Sequence, residues 1–109
     1  MAYNEHLANR IRHIVSEREG IKERKMFGGI AFMLYGNMCC GVIGDDLMVR
    51  IGSTGYDEAL SHPHTRQMDF TGKPSKGMIY VGPEGSSSQQ DLEAWVLRGI
   101  DYAASLPQK

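Results

Sequence analysis

The sequence predicts an α+β protein: a two-layer fold, a mostly antiparallel sheet with helices packed against it, in an order close to α-β(3-4)-α-β(1-2)-α. Three observations predict it. Apolar residues recur at helical spacing near both ends of the chain. Between residues 23 and 51 the period drops to two, with Gly- and Asp-containing turns between the apolar runs. Regular βαβ alternation, which a doubly wound parallel sheet requires, is absent.

The first helix is expected over residues 4–18. Asn4 is its cap, and Glu5 sits in the first turn, where the backbone dipole favours a negative charge. Leu7, Ile11, Ile14 and Val15 form its apolar stripe, and Gly20 stops it. Glu23 to Phe27 reads as a short strand, followed by a bulge or sharp turn at Gly28-Gly29. Ile30 to Tyr35 is a second strand, with Ile30, Phe32 and Leu34 on one face and Ala31, Met33 and Tyr35 on the other. Gly36-Asn37 is expected to turn the chain into a third strand, Met38 to Ile43. Asp45-Asp46 turns it again, into a strand with Leu47, Val49 and Ile51 inward and Met48 and Arg50 outward. Three tight turns in succession make a meander.

Thr54, with Asp57 three residues on, reads as a capping box for a short helix whose Tyr56, Ala59 and Leu60 face the sheet. His62-Pro63 ends it. Residues 62–77 are polar and loop-like, with a brief strand at Gln67 to Phe70. Met78 to Gly82 is the last strand, and Pro83 to Ser87 a loop. Ser88, with Asp91 behind it, caps a final helix whose Leu92, Trp95, Val96, Gly99 and Ala103 share a face. Pro107 ends the ordered chain.

A chain of 109 residues is expected to form one domain, residues 1–109. No apolar run approaches the ~20 residues that cross a bilayer. The first residues, MAYNEHLANR, lack the apolar stretch of a secretory signal. A cytoplasmic protein with no membrane partner is expected. Twelve Lys and Arg against thirteen Asp and Glu is not the basic excess of a domain that lives on nucleic-acid phosphates.

The run Arg24-Lys25-Met26-Phe27-Gly28-Gly29, the strand Ile30 to Leu34, the later GMIYVGP and the amphipathic helix around Trp95 resemble the N-terminal domain family of the bacterial competence regulator TfoX (Sxy). The resemblance spans nearly the whole chain. It implies a two-layer α+β fold ordered close to α-β(3)-α-β(2)-α, and it brings no catalytic residues with it. In the full-length regulators a second, C-terminal domain is associated with competence; this sequence stops at Lys109, and a first domain standing alone is expected.

Among the residues that could carry chemistry, Cys39 and Cys40 come first. Neighbours on a strand point to opposite faces, so they are expected to diverge, one thiol buried and one half-buried. Soft-metal binding by Cys40 with a methionine is the functional alternative. Methionines are expected to fill the core, with Met48 the exception because its face is outward. His62 and His64 form an H-x-H pair that could bind zinc or copper if a carboxylate joined them. His6 and His13, two helical turns apart, are too distant to chelate one ion. Asp45-Asp46 is expected as turn chemistry, not as an acid–base pair. No glycine-rich phosphate loop is present, and no cofactor is expected.

The surface candidates are basic: Arg24, Lys25, Arg50, Arg66, Lys73 and Lys76, as a patch at one edge or end of the sheet. These readings converge on a non-catalytic regulatory or protein-interaction module. It would dock a protein partner through a sheet edge or outer face, as a homodimer, with Arg24, Lys25 and Arg50 orienting an acidic partner. The alternatives are a nucleic-acid-binding module using the loop at 66–76, or a small metal- or ligand-binding protein using Cys40 or His62 and His64.

Overall fold

The chain folds around a curtain of antiparallel strands with its helices gathered on one side. The computed structural model describes residues 3–26, 28–67 and 77–107. They form α1 (Glu5–Val15), β1 (Ile21–Met26), β2 (Gly29–Leu34), β3 (Asn37–Ile43), β4 (Asp46–Arg50), α2 (Tyr56–Leu60), β5 (Thr65–Gln67), β6 (Met78–Val81) and α3 (Gln89–Ala104). The strand order is β1-β2-β3-β4-β6-β5, antiparallel at every pairing. The expected α+β arrangement is present, and β1 and β5 are the two edges.

Capping chemistry sets the long helices. Asn4 accepts from the Leu7 amide at 3.1 Å, and Ser88 accepts from the Asp91 amide at 3.1 Å, each satisfying an otherwise orphan donor. For α2 the expected Thr54 box is not used. Gly55 is the N-cap, with no side-chain hydrogen bond.

The apolar stripes of α1, α2 and α3 meet the inner set of the sheet in one cluster. Leu7, Ile11 and Val15 join Tyr56 and Ala59, Leu92, Trp95, Val96 and Ile100, over Phe32, Val42, Leu47, Val49, Ile79 and Val81. The opposite face carries Ala31, Gly41, Met48 and Tyr80 in register between Arg24 on β1 and Arg66 on β5. Met48 points away from the helices as expected, yet it is fully buried. It lies over Gly41, where a β-carbon would come within 2.9 Å of its Cε.

Several boundaries move. α1 ends at Val15, and β1 begins at Ile21, two residues before the expected Glu23. The β2–β3 turn is Tyr35-Gly36 instead of Gly36-Asn37. Both residues have positive φ, 48° and 87°, as the hairpin turn matching strand twist requires. The β3–β4 turn likewise falls on Gly44-Asp45. β5, Thr65–Gln67, shares only Gln67 with the brief strand expected at Gln67 to Phe70; residues 68–70 lie outside the described residues, as does Phe27.

The largest correction is inside β3. Phe32 pairs with Cys40 but Met33 with Met38, so Cys39 is an extra residue, a β-bulge. Simple alternation would send the Cys40 side chain away from the helices. The bulge turns it back, and both cysteines are fully buried in the helix-side cluster. The expectation that the two thiols diverge fails for this reason. The bulge also re-phases the strand, so Val42 faces the core.

Candidate interaction surface

Strand order decides which basic residues can act together. Arg24 and Lys25 lie on β1, exposed, at one edge of the sheet. Arg66 lies on β5, at the other. Arg24 and Arg66 belong to one transverse row of six strands, so their backbones are about 24 Å apart at ~4.8 Å per strand. Arg50 ends β4, with its guanidinium 5.4 Å from the Tyr102 ring centroid. The basic side chains expected in one patch are therefore dispersed over both edges and the end of β4. Lys73 and Lys76 lie outside the described residues.

The arginines differ further in what they already hold. Arg66 grips the Asp46 carboxylate with both terminal nitrogens, at 3.4 and 2.5 Å, and its guanidinium carbon sits 4.7 Å from the Tyr80 ring centroid. Arg12 makes a bidentate pair with Glu23 at 2.7 and 2.8 Å. Arg98 donates to Glu58 at 2.8 Å beside the Trp95 ring. Arg10 donates to the carbonyls of Ser86 and Ser87 at 3.0 and 3.2 Å. Among the described residues, the cations left without an ion pair, a carbonyl or an aromatic partner are Arg18, Lys22, Arg24 and Lys25. All four lie on β1 or in the connection that leads into it.

That concentration was not apparent in the sequence. The four central residues of IKERKM are all charged, so they show no alternation, and the strand's place at an edge follows only from the strand order. Glu23 is the one acid on β1, and Arg12 of α1 holds it. Lys22 and Arg24 share the sheet face that carries Met33 and Ala31, their register partners on β2. The outer backbone groups of β1 have no neighbouring strand among the described residues.

His62 is used structurally. His62 Nε2 lies 2.7 Å from the Glu58 carboxylate one helical turn back, and its ring meets Trp95 edge-on at 5.2 Å. Glu58 thus receives both His62 and Arg98. These hydrogen bonds, that of His62 foremost, hold its carboxyl below the usual carboxylate range. His64 is exposed at a turn with φ 66°. His6 and His13 line a shallow groove of about 480 Å³ with Asn9, Arg10 and Gln89. Among the described residues, no three His, Cys, Asp or Glu side chains gather as a metal site. Asp45 accepts from Asn4 at 3.2 Å while Asp46 holds Arg66, so the two carboxylates serve separate structural partners. No helix among the described residues is long and apolar enough to cross a membrane.

Residues 13–103 match the family model described as the TfoX N-terminal domain. No curated protein and no solved structure matches the chain.

Proposed function

The chain belongs to the TfoX N-terminal domain family, and we propose that it acts as a non-catalytic cytoplasmic interaction module that docks an acidic protein segment along β1. One observation carries the reading. The unpartnered cations of the described surface cluster at a sheet edge that borders no further strand among the described residues. An extended segment can add to such an edge through main-chain hydrogen bonds. Lys22, Arg24 and Lys25 would select acidic side chains and reject a neutral or basic strand. Met33, half-buried on the adjoining face, offers adaptable apolar contact beside them.

A second copy of the chain is a less suitable partner for the same edge. Antiparallel pairing of IKERKM with itself about Glu23 would set Lys22 against Arg24 of the other copy, and like charges directly opposite repel. A nucleic-acid reading leaned on the loop at 66–76; Arg66, its one described basic residue, is committed to Asp46.

The test is crosslinking in the native cell followed by purification of the chain and identification of its crosslinked partners. Arg24→Glu with Lys25→Glu should lose an acidic partner that Arg66→Ala retains. If the doubly reversed edge recovers the same partners as the unaltered chain, β1 is not the docking site. Light scattering of the purified protein decides whether a second copy competes for it.

A further inference from the structure

The β3 bulge leaves two neighbouring thiols on one side of the sheet, and the proposed docking edge makes no use of them. Cys39 Sγ donates to the Phe32 carbonyl at 3.2 Å. The Cys40 side chain lies in the same buried helix-side cluster. Both side chains are free thiols with no solvent exposure. Phe32 also lines, with Val15, Ser16, Arg18 and Ile21, a groove of about 280 Å³ beyond the end of α1. On the other side of the bulge, Gly99 of α3 rests against Cys39, so closely that a β-carbon on Gly99 would overlap the Cys39 carbonyl.

We propose that Cys39 and Cys40 are a vicinal dithiol which a small hydroperoxide oxidises to an intrachain disulfide, and that α3 shifts on the sheet in response. The groove is lined by Phe32, whose carbonyl accepts from Cys39 Sγ, and the oxidant approaches the thiols from that side. The two sulfurs have different parts. Cys39 is the sulfur that bonds the carbonyl of Phe32, the residue lining the groove, so it is the attacking sulfur and Cys40 the resolving one. In keeping with this, the neighbouring Cys40 thiol holds the Cys39 thiol below the ordinary range against the opposing effect of burial, and the charge of Arg18 adds to it. The Cys39 neighbour and burial push Cys40 well above that range.

The Cys39 thiolate attacks one peroxide oxygen, and the O–O bond breaks. This leaves Cys39 as a sulfenic acid and releases an alcohol, or water from hydrogen peroxide, which carries off the thiol proton. The Cys40 sulfur then attacks the Cys39 sulfur. The S–O bond breaks, and the departing hydroxide takes the Cys40 proton to leave as water. Two thiols lose two protons and two electrons, and the peroxide is reduced by the same two electrons.

Neighbouring α-carbons across a trans peptide are about 3.80 Å apart, closer than the 4.4–6.8 Å that disulfides usually span. Closing the bridge must turn the peptide between the cysteines, and that peptide holds the carbonyl on which Gly99 rests. Trp95, one turn earlier on the buried face of α3, is the chain's single tryptophan and reports any shift of that helix.

The experiment uses the intact chain and hydrogen peroxide. Thiols are alkylated after denaturation and the peptides mapped by mass spectrometry, while Trp95 emission is followed before oxidation, after it, and after a reductant. The expected result is loss of both alkylation sites, a Cys39–Cys40 peptide lighter by two hydrogens, and a shift in Trp95 emission that the reductant reverses. Cys39→Ala should abolish the reaction. Cys40→Ala should stop it at the sulfenic acid, which a sulfenic-specific probe traps. Two alkylatable thiols after oxidation, or cysteines crosslinked only between chains, would overturn the dithiol. A bridge that forms without any change at Trp95 would overturn the coupling to α3. The mapping on the unaltered chain holds even where a variant fails to fold.

Discussion

The two edges of this sheet are finished by different means. β5 is three residues long, is packed against α2, and has its arginine bound to Asp46 and laid against Tyr80. β1 is six residues long, borders no further strand among the described residues, and carries Lys22, Arg24 and Lys25 with no partners. Short, covered edges and charged edges both discourage random strand pairing. They differ in what they still permit. A covered edge is closed to every partner, whereas a charged edge is closed only to partners of the wrong charge. That contrast is the ground for placing the proposed docking site on β1.

The strands between the edges supply the reference against which both can be measured. Phe32 is fully buried in β2, one strand in from β1. Phe32→Ala should destabilise the protein by about 3–5 kcal/mol, the largest effect expected, because it opens a cavity that close-packed neighbours fill only in part. Denaturant unfolding measures it. A loss below about 1 kcal/mol would mean that the β1–β2 half of the sheet is not packed as described, and the comparison of edges would lose its frame.

Charge reversal at β1 comes next, and its effect should fall on binding. Arg24→Glu with Lys25→Glu should weaken capture of an acidic partner tenfold or more, about 1.4 kcal/mol, and leave stability within about 0.5 kcal/mol. Titration of the partner recovered by crosslinking, beside a thermal melt, separates the two effects. An unfolded variant would show that these cations stabilise the edge, which would contradict their freedom from partners.

Asp46→Asn sharpens the contrast from the other side by freeing Arg66. The pair is partly exposed, so the cost should be only about 0.5–1 kcal/mol. Partner binding at β1 should not change, because the row from Arg24 to Arg66 crosses the whole sheet. Binding that rises in Asp46→Asn would show that Arg66 contributes once released, and the two edges would then differ in degree only.

Particular residues show what could be read in the sequence and what could not. The alternation Ile30, Phe32, Leu34 and the caps Asn4 and Ser88 are local signals, and the elements they mark are where they were expected. The turn at Tyr35-Gly36 was misplaced by one residue because an aromatic residue at positive φ is uncommon. The bulge at Cys39 left no trace, since two adjacent apolar residues fit either phase of a period-two pattern. The scatter of the basic residues was hidden for a different reason. After β4 the chain passes α2, forms β5 at the far edge, and returns with β6 between them. That crossover, and not any local preference, carries Arg66 away from Arg24. The partnering of each arginine is a tertiary fact of the same kind.

The smallest effect concerns what keeps β5 covered. Glu58 of α2 receives His62 from just beyond α2 and Arg98 from α3, fastening the helix that packs on β5 and β6. Both donors favour the ionised carboxylate, so its folded pKa is lowered. A lowered carboxyl pKa adds stability that is fully present above the unfolded value and is lost as pH falls through the folded one. Acidification through the carboxylate range should therefore loosen α2 and raise hydrogen exchange at Thr65–Gln67. Glu58→Gln should show that faster exchange already at neutral pH and respond less to acid. The Glu58 side chain is mostly exposed, so the difference should be small and should shrink as salt is added. Exchange rates depend on pH in themselves, so the informative quantity is the difference between unaltered chain and Glu58→Gln at each pH. A difference confined to β5 keeps the two edges independent; an equal one at Ile21–Met26 would mean that the edges loosen together, and that the cover over β5 and the charge on β1 are not separate devices.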